Sequence, residues 1–247
     1  MRWRESDGVR WLEAELPGAT AAFSTRLGGV SGAPFDSLNL GVLSDDETGS
    51  VVENRRRLAA ALGLDPGWVV IGRQAHGAEI AVHTEPQSPS SFAGPGSEIP
   101  EVDGHVTAEP GLATLVFVAD CLPVALAGPG RVAMLHCGWR GLAAGIVARG
   151  VEAVGATDAA IGPGIGPCCY EVGEEVLGAF AGLGDDVAAG RMLDLPEVAR
   201  RLLREVGVDQ VESAGLCTSC EPDLFFSHRR DAGRTGRQAG LAWLEEG

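Results

Sequence analysis

Lysine is absent from this 247-residue sequence, and all 19 basic residues are arginine. That excludes a Walker-type phosphate loop and any chemistry that runs through a lysine Schiff base. Positive charge is scarce overall: 34 acidic residues leave a formal net charge of -15. A nucleic-acid surface needs a basic face, so that class of partner is not expected. A small anion is still allowed, because a local arginine cluster can overcome the global field. No apolar run reaches the ~18 residues that suggest a membrane span. The first residues, Met1-Arg-Trp-Arg-Glu-Ser-Asp-Gly8, lack the apolar stretch of a signal peptide. The expectation is a cytoplasmic protein with no membrane and no nucleic-acid partner.

What is present is ample apolar material, 45% of the chain, with no fixed-period repeat and no clear linker. This predicts one domain over 1–247 with a sizeable core. Apolar stretches within 9–25, the segment Asn39–Ser44, residues 68–72 and 79–83, and stretches at 159–162, 209–213 and 237–244 read as strands. Helices are expected over 50–62, opened by a Ser50-Val-Val-Glu53 capping box, from Trp139 to about Val154, and over 174–181 and 196–206. Residues 84–101 are rich in Pro, Ser and Gly, the composition of a flexible loop or a lid. Strands and helices mix without strict βαβ alternation, which predicts an α+β fold with a mixed sheet.

The chemistry concentrates in residues 117–141. Two short apolar runs, Ala113–Ala119 and Val132–Leu135, are each followed by a ligating side chain, Cys121 and His136. The turn Gly128-Pro129-Gly130 between them predicts neighbouring antiparallel strands. With His76, which follows the strand at 68–72, they make a His/Cys/His set. Two imidazoles and one thiolate suit zinc, and three protein ligands leave a fourth position open, as in catalytic sites. Such an ion can lower the pKa of bound water to about 7 and polarise a substrate atom. Strand alternation turns Cys137 to the opposite face from His136, giving it a packing role. Asp120 either orients a ligand imidazole or is a plain turn carboxylate.

Other groups carry less. Cys217-Thr-Ser-Cys220 is a lone C-x-x-C; a structural zinc needs a second pair, which Cys168-Cys169 supplies only with unusual geometry. Inert thiols are the expectation. Gly162-Pro-Gly-Ile-Gly166 does not match a dinucleotide fingerprint, and Pro163 and Pro167 remove two backbone donors. Arg26, Arg55, Arg140 and the arginines of 229–237 are candidates for phosphate, whose oxygens the guanidinium fork matches. Arg56 and Arg57 read as a solvated face. His228 is either a site residue or a turn histidine.

Taken together, Phe23-Ser-Thr-Arg-Leu-Gly-Gly-Val-Ser31, Asn54-Arg55, Gln74-Ala-His-Gly77, Asp103-Gly104, Ala119-Asp-Cys-Leu-Pro123 and His136-Cys-Gly-Trp-Arg-Gly141 resemble the laccase-domain purine nucleoside phosphorylases, once labelled polyphenol oxidases. Ile161–Val172, Cys217-Thr218 and Ser227-His-Arg-Arg-Asp231 extend the resemblance along nearly the whole chain. It implies a layered α/β fold similar to the catalytic domain of cytotoxic necrotizing factor toxins. It implies a Zn²⁺ site with His76, Cys121 and His136 as ligands; Cu²⁺ is a second candidate because imidazole and thiolate also favour it. It implies phosphorolysis of adenosine, inosine and S-methyl-5′-thioadenosine by inorganic phosphate, with adenosine deamination beside it; the assembly is open between monomer and homodimer. Asn54 and Arg55, with Arg26 or Arg140, are the candidates for the phosphate pocket, and His228 for substrate contact. Ala75 stands where a β-branched residue is usual, and Cys137 where alanine is usual.

Two rival enzymes and one binding protein compete with this reading. A copper-dependent polyphenol oxidase needs a His-rich cluster beyond a His₂Cys centre, and five histidines do not supply both. A metal-free hydrolase would use Cys121 as nucleophile and His136 as base. A peptidoglycan-precursor or division-associated binding protein would not place its polar residues at strand ends, as catalytic groups are.

Overall fold

Residues 1–94 and 99–245 are described by the computed structural model. In chain order the elements are β1 (Arg2–Ser6), β2 (Val9–Leu16), β3 (Ala19–Ser24), α1 (Thr48–Leu62), β4 (Val69–Val70), β5 (Ile80–His83) and β6 (Gly104–Thr107). Then come β7 (Ala113–Val118), β8 (Leu122–Gly128), β9 (Arg131–Cys137), α2 (Trp139–Ala143), α3 (Ile146–Val154), β10 (Asp158–Ile161) and α4 (Glu174–Phe180). The chain closes with β11 (Ala188–Ala189), β12 (Met192–Leu193), α5 (Leu195–Glu205), β13 (Gln210–Ser213) and β14 (Gln238–Leu244).

Two six-stranded sheets result, ordered β1-β2-β3-β14-β7-β4 and β13-β10-β8-β9-β6-β5. Pairings are antiparallel except β4 with β7, β5 with β6 and β10 with β13. The fold is therefore α+β with mixed sheets. Strand alternation builds the layers. On β7 and β14, Leu115 and Leu241 turn toward α1, while Val116, Val118, Ala242 and Leu244 turn toward the second sheet. On β8 and β9, Ala125, Ala127, Val132 and Met134 meet them; alanines on both faces let the sheets approach closely. Leu122, Val124, Leu126, Leu135 and Cys137 face the other way, into the helical layer of α3 and α5. No helix among the described residues is long and apolar enough to cross a membrane.

Several local expectations change. The hairpin closed by Gly128–Gly130 joins β9 to β8, not to the 113–119 run, which lies in the other sheet as β7. Pro123 hides β8 from a sequence reading, yet its missing donor lies just outside the β8–β10 ladder, which begins at Val124. Asn39–Ser44 is not a strand; buried Asn39 uses its side chain to hold the backbone N–H groups of Gly41 and Arg237. The helix from Trp139 is two helices, broken at Gly145 with φ of 85°. The Ser50 capping box is absent: α1 starts at Thr48 behind Glu47, and Glu53 pairs instead with Arg56 and Arg57. Much of 84–101 is fastened. The Gln87 amide exchanges hydrogen bonds with the Ile71 backbone, Ser90 Oγ donates to Pro66 O, and Phe92 is fully buried. The lid expectation also covers residues 95–98, which lie outside the described residues.

Candidate active site

The turn between β7 and β8 is the shortest route from one sheet to the other. It spans Ala119-Asp120-Cys121, with Asp120 at φ of 96°. That crossing sets Cys121 beside the last residues of β9. His136 shares the inter-sheet face of Val132 and Met134 and is 3% exposed. Cys137 packs into the helical layer, as alternation requires, and burial pushes its thiol up. His76 comes from the loop after β4, with φ of 61°, a conformation that L side chains rarely adopt. One ligand atom each from His76, Cys121 and His136 lie within 4.8 Å of one another. The two imidazoles meet edge to face, their centroids 4.8 Å apart.

Asp103, a residue to which the spacing arguments assign no role, organises this cluster. Its Oδ1 lies 2.7 Å from His136 Nδ1 and accepts from the backbone N–H of His76. Its Oδ2 accepts from Ala75 N and Gly77 N. One carboxylate therefore fixes the His136 ring and stabilises the strained turn that presents His76. Burial would raise the Asp103 carboxyl, but the His136 bond and these N–H donors hold it below the usual range. Burial would likewise raise the Cys121 thiol; the facing His136 and His76 imidazoles overcome this and draw it down to about 6. For His136, burial works downward, and Cys121 and Asp103 hold it up to about 9. Without a metal, the two shifts favour the thiolate–imidazolium form of the pair.

The cluster lies at the wall of a cavity of about 720 Å³, within the ~300–1,000 Å³ common for small-molecule sites. Arg55, Arg73, Arg140, Arg229 and Arg237 line it, giving a positive chamber in an acidic protein. Phe117, Trp139 and Tyr170 supply aromatic surface. The Gln74 amide is fully engaged with Phe117, its Nε2 donating to the carbonyl and its Oε1 accepting from the N–H. His228 also lines the cavity and is exposed.

The expected phosphate residues separate into two groups. Arg140, exposed and stacked on Trp139, lines the cavity. Arg55 lines it too, but is 1% exposed; Nε donates to Leu40 O and Nη1 to Ser91 O and Phe92 O. Its Nη2 is buried with no partner among the described residues, and burial lowers the group to about 10. Asn54 and Arg26 do not line the cavity. The Asn54 amide is fully buried, accepting from Val30 N and donating to Ser31 Oγ and Asn39 O. Arg26 donates to Asp36 O and Pro222 O, pairs with the Asp36 carboxylate and stacks on Phe226. Both are structural braces, because their donors are already taken. Asp120 touches neither imidazole; it accepts from Thr218 Oγ1 and Arg229 N, tying the 218 and 229 loops to the sheet crossing.

Of the remaining histidines, His83 and His105 pair with each other at 3.0 Å across β5 and β6. No His-rich cluster beyond the triad forms among the described residues.

Residues 20–245 match the family model described as multi-copper polyphenol oxidoreductase laccase. A purine nucleoside phosphorylase of Pseudomonas aeruginosa is 39% identical over 254 residues, covering 96% of this chain and 99% of its own. The purine nucleoside phosphorylase YlmD of Geobacillus stearothermophilus is 38% identical over 260 residues, covering 96% and 95%. Among solved structures, the YfiH protein of Bacillus licheniformis superposes with a TM-score of 0.89 at 34% identity, over 98% of this chain and 99% of that one. The YlmD structure from G. stearothermophilus gives 0.85 at 37% identity, over 98% of each chain. By sequence over nearly its full length and by fold, the chain belongs to the laccase-domain purine nucleoside phosphorylase family.

Proposed function

We propose that this protein is a zinc-dependent purine nucleoside phosphorylase. Its substrates are adenosine, inosine and S-methyl-5′-thioadenosine with inorganic phosphate; adenosine deamination is a second activity. Cu²⁺ is the alternative ion for the same ligands. One observation carries the reading: a His/Cys/His donor set opens onto a cavity that is both arginine-lined and aromatic. The relatives' shared name as purine nucleoside phosphorylases supports it.

The donor set fits zinc. Asp103 holds Nδ1 of His136, so Nε2 is the nitrogen left to ligate, the usual arrangement behind a metal-bound imidazole. His76, Cys121 and His136 would hold the ion and leave a position open. When bound, it supplies Lewis-acid polarisation of a substrate atom. The remaining work belongs to side chains. In phosphorolysis a phosphate oxygen attacks C1′, the C1′–N9 bond breaks, and the purine departs with the electron pair and takes up a proton. Arg140, Arg229 and Arg237 neutralise the phosphate, which a rigid guanidinium fork also orients, and the buried Arg55 guanidinium adds positive charge from the cavity wall. Phe117, Trp139 and Tyr170 take the flat base, and Ile71 and Ile165 keep water from the breaking bond. His228, the cavity imidazole outside the ligand set, handles the purine proton.

The deciding experiment is incubation of zinc-loaded protein with adenosine and phosphate. Adenine with ribose 1-phosphate is the expected product, with inosine from the second activity. Formation of none of these overturns the reading. A Cys/His hydrolase is the second reading, favoured by the line from Cys121 through His136 to Asp103, which resembles a nucleophile–base–orienter chain. Chelation separates them: the phosphorylase loses its activity, the hydrolase does not.

A further inference from the structure

Cys168, Cys169, Cys217 and Cys220 come from two separate loops, yet their sulfurs all lie within 4.8 Å of one another. The first pair sits in a turn closed by Cys169 N and Tyr170 N donating to Gly166 O, after β10. The second sits in a turn closed by Cys220 N and Glu221 N donating to Cys217 O, after β13. The parallel pairing of β10 with β13 continues as a bridge between Gly164 and Cys217, and Thr218 N donates to Gly164 O, so the turns are held face to face. We infer that these four cysteines form a second metal site, a closed tetrathiolate centre for zinc, separate from the His/Cys/His cluster and independent of the reaction assigned above.

The sulfur spacing suits one ion. A tetrahedron with Zn–S of 2.3 Å puts neighbouring sulfurs about 3.8 Å apart. Here Cys168 and Cys220 are 3.3 Å apart and Cys169 and Cys220 3.4 Å, with the rest inside 4.8 Å. A disulfide needs roughly 2.0 Å, and all six cysteines are free. The backbone also ties the two turns at a sulfur: Gly166 N donates to Cys217 Sγ at 3.3 Å. Four thiolates with no open position are the ligand set of a structural zinc.

The site's place in the fold gives it a task. The loop from β10 to Cys168 carries Ile165, and Tyr170 follows the pair; both form cavity wall. Thr218, between the other two cysteines, donates to Asp120 at 2.7 Å, and Arg230 Nη1 donates to Thr218 O. An ion here locks that wall against the β7–β8 crossing.

The test is metal content by mass spectrometry of the intact native protein and of variants, purified without chelators. Wild type should hold two zinc ions and His76→Ala/His136→Ala one; cobalt exchanged into that variant should give a tetrathiolate visible spectrum. Cys217→Ser/Cys220→Ser should hold one ion fewer than wild type, with a lower Tm. Should that double variant fail to fold, Cys168→Ser, which alters an exposed ligand, should abolish the tetrathiolate spectrum in the His76→Ala/His136→Ala background. A metal-free His76→Ala/His136→Ala protein overturns the inference. So does a Cys168–Cys220 or Cys169–Cys220 disulfide in unreduced wild type.

Discussion

Asp103 Oδ1 stands 2.7 Å from Nδ1 of His136, and the same carboxylate accepts three backbone N–H groups from Ala75, His76 and Gly77. Two of the three proposed ligands thus depend on one buried side chain. Asp103→Asn keeps the volume but turns an NH₂ toward donors, since four N–H groups point at the carboxylate. Zinc affinity should fall about 10–100-fold. Competition against a chromophoric chelator measures it, and an unchanged affinity would remove Asp103 from the site.

Proton competition follows from the metal-free pair. His136 is held up to about 9, so below that pH an incoming ion displaces a proton from it. Cys121 is drawn down to about 6, so it adds a second proton only below that pH. The logarithm of zinc affinity at this centre should rise with pH at a slope near one between about 6 and 9 and flatten above 9. Below about 6 the slope should exceed one. Calorimetry in buffers of different ionisation enthalpy should find one proton released per zinc in the middle range. A variant lacking the four loop cysteines isolates this centre from the second one.

These two behaviours show what a sequence reading reaches. His76, Cys121 and His136 are legible because each stands at the end of an apolar run, and the alternation that sends Cys137 to the other face is a local rule. Asp103 is not legible from spacing, because its partners lie 26–33 positions away and meet it only through tertiary packing. The β8 strand is hidden by Pro123, whose tolerance depends on where the β10 ladder starts. Asn54 and Arg26 look like anion ligands in a string of letters; in the fold their donors are occupied by loops far along the chain. The cysteine tetrad is set aside in the sequence for the same reason: Cys168-Cys169 becomes the second pair of the C-x-x-C only when β10 and β13 align.

Gly138 tests how tightly the cluster is enclosed. A Cβ there would fall 3.0 Å from Cys121 Sγ and 3.3 Å from His76 Cδ2, so two proposed ligands would have to move. Gly138→Ala should lower kcat/KM, because the ligands must shift by a few tenths of an ångström and rate falls steeply with misplacement of reacting groups. Zinc at the His/Cys/His centre should fall with it, while the Tm of the chelator-treated protein stays close to that of wild type treated alike. Full activity in Gly138→Ala would mean that the three side chains are not the working centre.

The division among the arginines and Asn54 makes the last prediction a contrast. Arg140 is exposed on the cavity, so Arg140→Gln should raise the KM for phosphate with little change in Tm. Asn54→Ala removes three hydrogen bonds from a fully buried amide, leaving Val30 N and Asn39 O without their partner. Each orphaned group costs about 1–3 kcal/mol, so Tm should fall markedly while the phosphate KM of the folded fraction is unchanged. Arg55→Lys should do both. Lysine has no fork to reach Leu40 O, Ser91 O and Phe92 O together, and it takes the guanidinium out of the cavity wall. Phosphate KM measured beside thermal melts for the three variants separates the roles. A raised KM in Asn54→Ala at full stability would return that residue to the anion pocket, and an unaltered KM in Arg140→Gln would take Arg140 out of it.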